Sequence, residues 1–256
     1  MTELFAHRGA SIAVPENTLA AFRVGLEQGA TAIETDAWLT RDRVVVLSHD
    51  ATGARMAGVE TAIADATLAE VRTWDVSRGF TGAANVDGAE SRRMPTLVEA
   101  LERFPDVSFN VDAKFGAAML EPLIHTVRAL KAEDRVRLAS FSSLVLHRAR
   151  DLGWRGPMGL GQEEVGALLT LPEKALSFRR WSGRAAQVPR WLGPVPIVTR
   201  RFVERCHRLD IVVHVWTVNE PAEAEELLAL GVDGFVTDVP SDLVPVVRSV
   251  AQRASS

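Results

Sequence analysis

The sequence predicts an α/β fold in which a parallel sheet is assembled from alternating strands and helices. Three observations carry that prediction. Eight short apolar runs recur along the chain, and segments of helical period lie between several of them. The 256 residues, 47% of them hydrophobic, are enough to bury one large core. That length also matches the roughly 250 residues of a (β/α)₈ barrel. An open doubly wound sheet shares the alternation, because parallel strands need crossovers in either architecture. Periodicity by itself does not close the sheet.

The elements follow in order. The first strand is expected at residues 4–6. Leu19, Phe22 and Leu26 then keep a helical spacing that Gly29 stops. A second strand is expected at 32–36, and another β run leads from Val44 to His49. Between there and Thr96 no clear βα unit is visible. Thr67 and Glu70 have the spacing to cap a short helix, while Gly79, Gly82 and Gly88 suggest irregular loops. Residues 50–93 therefore read as a small insertion after the second strand, within one domain spanning 1–256. Thr96 with Glu99 forms a capping-box pattern ahead of Leu101 and Phe104. Further strands are expected at 107–111, 136–139, 158–160, 186–188, 212–215 and 235–237. The fifth and sixth carry the least signal, since 163–193 mixes helical and loop patterns. Near the end, Asn219 is a candidate cap for a helix with Pro221 in its first turn and Gly231 at its stop. No internal repeat and no Ser/Gly/Pro-rich linker interrupts the chain.

Charge narrows the function. The net charge is -4, and acids are interspersed with arginines, as in Arg41-Asp42-Arg43 and Glu204-Arg205. No concentrated basic face of the kind nucleic acid requires is visible. Cys206 is the single cysteine, so no intramolecular disulfide forms, and its helical setting favours a buried thiol. No apolar run reaches the roughly 18 residues of a membrane span. A cytoplasmic protein without stable membrane insertion is the default expectation, and the oligomeric state is left open.

Residues of catalytic type fall repeatedly at the C-terminal ends of the candidate strands. His7 and Arg8 follow the first, Glu34 and Asp36 the second, Asp112 and Lys114 the third, Trp216 and Asn219 the seventh. In a (β/α)₈ barrel those ends share one face, where active sites are built. Glu34 and Asp36 are two apart on a strand and point to the same side. Three converging carboxylates repel, and a divalent cation relieves that repulsion; oxygen ligands favour Mg²⁺ or Ca²⁺. An isolated Glu-x-Asp pair is more often engaged with arginines. His7 and His49 are the titratable groups suited to acid–base work near neutral pH, although either one by itself is more often structural. Arg8 and Lys114 suit phosphate oxygens. Trp216 divides evenly between substrate wall and barrel packing. His125, His147 and His207, in helices, and His214, in a strand, are expected to be structural, and Trp181 and Trp191 to pack in the interior.

These residues sit in a recognisable series. His7-Arg8-Gly9-Ala10, Pro15-Glu16-Asn17-Thr18, Ile33-Glu34-Thr35-Asp36 and Val46-Leu47-Ser48-His49-Asp50 resemble the glycerophosphodiester phosphodiesterase family. The likeness continues through Met94-Pro95-Thr96-Leu97, Asp112-Ala113-Lys114, Ser140-Phe141, Trp216-Thr217-Val218-Asn219 and Asp233 to Pro240. The resemblance implies a (β/α)₈ TIM barrel with the insertion already noted. It also implies a metal-dependent phosphodiesterase that hydrolyses glycerophosphodiesters to sn-glycerol 3-phosphate and an alcohol. Glu34, Asp36 and Asp112 would hold Mg²⁺ or Ca²⁺, His7 and His49 would act as acid and base in either order, and Arg8 and Lys114 would contact the phosphate; Trp216 stands beside them as a candidate substrate contact on its position alone. Two departures stand out. Many members have Glu-x-Lys where this chain has Asp112-Ala113-Lys114, and only Arg55 survives of the Leu-x-Arg-Thr that usually follows His49-Asp50. Relatives with Asp-x-Lys make a phospholipase D-like activity on lysophospholipids or sphingomyelin the alternative. A non-catalytic phosphoester-binding barrel is disfavoured by the retained histidines, acids and lysine.

Overall fold

In the computed structural model, residues 2–82, 88–114 and 116–254 are described, and the chain closes into a ring of parallel strands. Strand β1 (Glu3–His7) pairs with β2 (Ala32–Leu39) on one side. Consecutive Leu4, Phe5 and Ala6 are all buried, so β1 is covered on both faces. After β2 the chain does not cross over at once. Strand β3 (Val45–Leu47) folds back antiparallel on β2, and the insertion follows: strands β4 (Thr52–Gly53) and β5 (Val59–Ala62), with short helices α2 (Ala54–Ala57), α3 (Leu68–Val71) and α4 (Ala89–Arg92). Its own small core gathers Val46, Ile63, Val71, Trp74 and Met94. The ring resumes with β6 (Ser108–Ala113), β7 (Val136–Ala139), β8 (Ala185–Pro189), then, after the β9 (Trp191–Leu192) and β10 (Val195–Pro196) hairpin, β11 (Val212–Trp216) and β12 (Gly234–Thr237). Strand β12 returns to β1, in the order β7-β6-β2-β1-β12-β11-β8.

Residues 158–160 close the ring. Gly159 N donates to Leu138 O at 2.9 Å and Leu160 N to Ala185 O at 2.9 Å, so the segment bridges β7 and β8. This decides against the open sheet. The expected fifth strand is correspondingly reduced to single bridges on each side. Pro157 has no N–H to give, and Gly159 and Gly161 bring no side chain to pack on a neighbour.

Helices coat the outside: α1 (Leu19–Glu27), α5 (Leu97–Arg103), α6 (Leu120–Ala129), α7 (Ser143–Asp151), α8 (Gln162–Thr170), α9 (Glu173–Leu176), α10 (Arg200–His207), α11 (Pro221–Leu230) and α12 (Pro240–Ala254). Their starts follow the sequence signals. Thr96 and Thr67 each complete the expected capping box with Glu99 and Glu70, and Thr18, for which no cap was expected, accepts from Ala21 N. Gly29 and Gly231 take positive φ where α1 and α11 end. One cap is corrected: Glu220, not Asn219, precedes α11. Asn219 is turned to the barrel mouth instead, where it accepts from Thr237 and Asp238 N and donates to Asp238.

Inside the ring, Phe5, Ala32 and Val236 pack together with Trp216 against them. On the opposite side of this layer from the mouth, Glu3 lies 3.0 Å from His214 Nε2 and 3.2 Å from Arg137. The lower interior is therefore filled. Open space is left at the C-terminal ends of the strands.

Candidate active site

Strand register explains why the polar residues meet. His7 on β1 is level with Glu34 on β2, and Glu34 with Asn110 on β6. One layer nearer the mouth, Asp36 is level with Asp112. The turn back into β3 brings His49 to the same height, since Ser48 N donates to Asp36 O at 3.0 Å. At the end of β1 the chain turns sharply through Arg8 (φ +56) and Gly9 (φ +84). A Cβ on Gly9 would lie 2.5 Å from the Ala21 carbonyl carbon, so only glycine lets α1 approach this turn. Arg8 N donates to Glu34 O at 2.9 Å, and its side chain is thereby set over the mouth. His7, His49, Arg8, Lys114, Trp216, Glu34, Asp36 and Asp112 all line one cavity of about 580 Å³.

Each histidine is oriented by an aspartate. His7 Nδ1 lies 2.7 Å from Asp238 Oδ1, and His49 Nδ1 lies 2.8 Å from Asp50 Oδ1. A carboxylate only accepts, so Nδ1 is the donor in both pairs and Nε2 is left for the cavity. Asp238 also accepts from Ser11 and Asn219 at 2.9 and 2.8 Å. Burial would raise its carboxyl, yet these bonds hold it down at about 2. Burial likewise pulls His7 down, but the bond to Asp238 and the charge of Glu34 outweigh it, and His7 titrates above its ordinary value. Glu34 Oε2 stands 3.9 Å from His7 Nε2.

The insertion is tied to both sides of this arrangement. Arg55 Nε donates to Asp50 Oδ2 at 2.6 Å, and its other nitrogens reach Glu16 at 3.0 and 2.6 Å. Glu16 in turn accepts from Arg8 at 3.1 Å. Burial works against the Glu16 and Asp50 carboxylates, but these partners hold both below the usual range.

The acid cluster is short of positive charge. Lys114 Nζ lies 2.6 Å from Asp112 and 3.0 Å from Asp36, and is 5.4 Å from the Phe141 ring centre. Arg8 Nε is 3.5 Å from Asp36 Oδ2. Burial, then the charge of Asp36, pushes Glu34 up to about 8. Asp112 is raised by burial despite Lys114. Among the described residues no three acidic, histidine or cysteine side chains are already drawn together as a ligand set. Glu34 Oε2 and Asp36 Oδ2 are nevertheless buried without a hydrogen-bond partner. Unsatisfied carboxylate oxygens that repel each other fit a hard divalent cation.

Asp238 and Asp50 escaped the sequence reading as partners of the two histidines, although Asp238 obeys the same strand-end pattern and Asp50 adjoins His49. Trp216 packs inside the barrel and also lines the cavity, with its ring 6.2 Å from Phe141. Trp191 is corrected: it is exposed, because the β9–β10 hairpin stands outside the core. His214 belongs to the lower cluster, and His207 pairs with Asp233 at 2.8 Å. Burial pushes the Cys206 thiol up to about 12, an unreactive state.

Comparison with known proteins is consistent across the chain. Residues 7–242 match the glycerophosphoryl diester phosphodiesterase family. A glycerophosphodiester phosphodiesterase of Caldanaerobacter subterraneus subsp. tengcongensis is 32% identical over 253 residues, covering 96% of this chain and 98% of that protein. A Mycobacterium tuberculosis relative is 34% identical over 242 residues, with 91% and 86% covered. A lysophospholipase D of Rattus norvegicus is 25% identical over 271 residues, with 96% and 86% covered. Among solved structures, the glycerophosphodiester phosphodiesterase of Thermotoga maritima superposes with a TM-score of 0.74 at 25% identity, covering 96% and 98%. An Oleispira antarctica phosphodiesterase in complex with the product sn-glycerol-3-phosphate has a TM-score of 0.77 at 20% identity, with 96% of each chain covered.

Proposed function

Because this chain belongs to the glycerophosphoryl diester phosphodiesterase family, we propose that it hydrolyses glycerophosphodiesters to sn-glycerol 3-phosphate and an alcohol, with His7 and His49 as the acid–base pair and a divalent cation as cofactor. The observation that carries the reading is the pair of imidazoles, each held at Nδ1 by a carboxylate and each lining the cavity that contains Arg8, Lys114 and the acid cluster. Mg²⁺ or Ca²⁺ would be held by Glu34 and Asp36 together with Asp112, and when bound it supplies Lewis-acid polarisation of a phosphate oxygen.

The chain's own groups do the rest. Arg8 and Lys114 share the phosphate charge, which rises in the transition state. One histidine takes a proton at Nε2 from the attacking hydroxyl, of water or of the substrate's glycerol. The new P–O bond forms as the bond to the departing alcohol breaks, and the other histidine protonates that alkoxide. Attack by the glycerol hydroxyl gives a cyclic phosphate that water then opens. Phe141 and Trp216 form an aromatic wall on the lysine side of the cavity.

The apolar half of the cavity, with Leu160, Val165 and Ile197, favours a second reading in which the diester carries a hydrocarbon chain, as a lysophospholipid does. One screen tests both. Glycerophosphocholine, glycerophosphoethanolamine and lysophosphatidylcholine are each incubated with Mg²⁺, Ca²⁺ or chelator, and phosphomonoester release is measured. Release of sn-glycerol 3-phosphate that chelator abolishes is expected. Turnover of lysophosphatidylcholine only would select the second reading. Ligand binding with no turnover of any diester under either metal would sink both.

A further inference from the structure

Among the described residues, three carboxylate or amide oxygens are buried without a hydrogen-bond partner: Glu34 Oε2, Asp36 Oδ2 and Asn110 Oδ1. Two of them belong to the acid cluster. The third has no role so far. Asn110 is only 3% exposed, and a buried amide oxygen without a donor is costly to keep.

Register brings the three side chains to one stretch of wall. Asn110 is level with Glu34, and Asp112 with Asp36. Residues two apart on a strand face the same way, so these four side chains occupy adjoining corners on the inner wall of β2 and β6. All four line the cavity.

The donors around Asn110 are engaged elsewhere. Arg137 is level with it on β7, but the guanidinium is 3.2 Å from Glu3 and 5.4 Å from the Phe5 ring centre. Lys114 holds Asp112 Oδ2 at 2.6 Å and Asp36 Oδ1 at 3.0 Å. His7 gives its Nδ1 to Asp238 and turns Nε2 toward Glu34. What is left is a stretch of wall made of acceptors. Such a wall fits a cation better than it fits a hydrogen-bonding group, and a neutral carbonyl adds a ligand without adding charge to carboxylates that already repel.

We propose that Asn110 Oδ1 is a direct ligand of the divalent cation, so that Glu34, Asp36, Asp112 and Asn110 together make an all-oxygen set. This rests on the reading that the acid cluster holds a cation, and on no step of the reaction. The extra protein oxygen favours Ca²⁺, which accepts many oxygen ligands, amide carbonyls among them, whereas Mg²⁺ keeps several of its waters.

The test is titration calorimetry of the metal-free full chain with CaCl₂ and with MgCl₂, beside thermal melts with and without each salt. Asn110→Ala removes the oxygen and opens no closed void, because the side chain lines the cavity. It should bind Ca²⁺ roughly tenfold or more weakly, lose less affinity for Mg²⁺, and show a smaller rise in melting temperature on adding Ca²⁺. Its metal-free melt should match wild type, since no hydrogen bond is lost. Asn110→Asp restores an oxygen: it should melt lower than wild type without metal, through repulsion, and bind Ca²⁺ at least as tightly. An Asn110→Ala variant that does not fold, or melts lower without metal, overturns the proposal by making Asn110 a structural residue. Unchanged Ca²⁺ affinity in that variant overturns it while the cation reading stands, and a raised KM for glycerophosphocholine alongside would assign Asn110 to the substrate. Wild type that binds neither ion removes the cation from the proposed function and this ligand with it.

Discussion

In the proposed reaction Asp238 acts through His7. Its carboxylate is fixed by Ser11 and Asn219, and it keeps the imidazole in one tautomer with Nε2 toward the cavity. Asp238→Asn keeps the shape but loses the charge that helps lift His7. The limb of the pH–rate profile that reports His7 should therefore move to lower pH, and kcat should fall by about tenfold or more. An unmoved limb would show that Asp238 is structural only. His49→Ala removes one proton carrier from a half-exposed position. Its fold should be intact by circular dichroism and its turnover about 10²-fold lower or worse; near-normal turnover would rule out the acid–base pair. At this scale the sequence was informative about strand-end residues, because a strand end in a barrel has a known destination. It was less so about partners. Asp238 lies 231 residues from His7, and no local pattern announces a hydrogen bond between them. Nor does any pattern announce that Lys114 would bridge Asp36 and Asp112, which depends on β2 and β6 lying in register.

At the scale of elements, two junctions hold the mouth in shape. The first is the turn from β1 toward α1. Gly9 has φ +84 and its pro-Cβ direction runs into the Ala21 backbone at 2.5 to 2.6 Å. Gly9→Ala should cost roughly 2–4 kcal/mol, since both the dihedral and the contact must give. A thermal melt should fall by about 2–4 °C per kcal/mol for a chain of this size; an unchanged melt would mean that α1 shifts freely. The second is the insertion, clamped by Arg55 between Asp50 and Glu16. Arg55 is about half exposed, so Arg55→Ala should change stability by no more than about 1 kcal/mol. Turnover should still fall several-fold, because Asp50 and Glu16 lose the cation that steadies them beneath His49 and Arg8. Two caps were readable in advance, since Thr96 and Thr67 act on neighbours three residues away, whereas the cap at Thr18 became visible only in the structure. Residues 158–160 were not readable as a ring closure. Three residues between Pro157 and Gly161 carry too little pattern, and their pairing is made by backbone groups of distant strands. The antiparallel return of β3 was visible as a β run but not as a pairing.

On the scale of the whole molecule, the barrel separates chemistry from stability along its axis. The mouth carries unsatisfied carboxylate oxygens beside two histidines, whereas the opposite end is closed by Glu3, Arg137 and His214. No sequence pattern foretold this lower cluster, because its members come from β1, β7 and β11 and meet only after closure. Burial draws His214 below its ordinary value, so it is neutral at pH 7 and serves Glu3 as a hydrogen-bond partner. Burial opposes the Glu3 carboxylate, but the His214 bond and the Arg137 charge hold it at about 2, against 4.5 for an ordinary glutamate. Both groups have depressed values in the folded state, which sets the sign. The unfolded chain takes up protons first as pH falls, so stability present above the unfolded value is lost on acidification. His214 contributes a loss that begins below about 6.5, and Glu3 a further one from 4.5 toward about 2. Since the Glu3 side chain keeps 38% exposure, solvent screens its pairing. Glu3→Gln should therefore lower stability at pH 7 by only about 0.5–1 kcal/mol while flattening the acid-side decline below pH 4.5. Turnover at neutral pH should be unchanged, because the substitution lies on the far side of the Phe5, Ala32 and Val236 layer from the cavity. Urea unfolding at a series of pH values checks the slope. A variant whose acid decline parallels that of wild type would place the linked protons elsewhere, and a variant with lowered turnover would show that the two ends of the barrel are coupled.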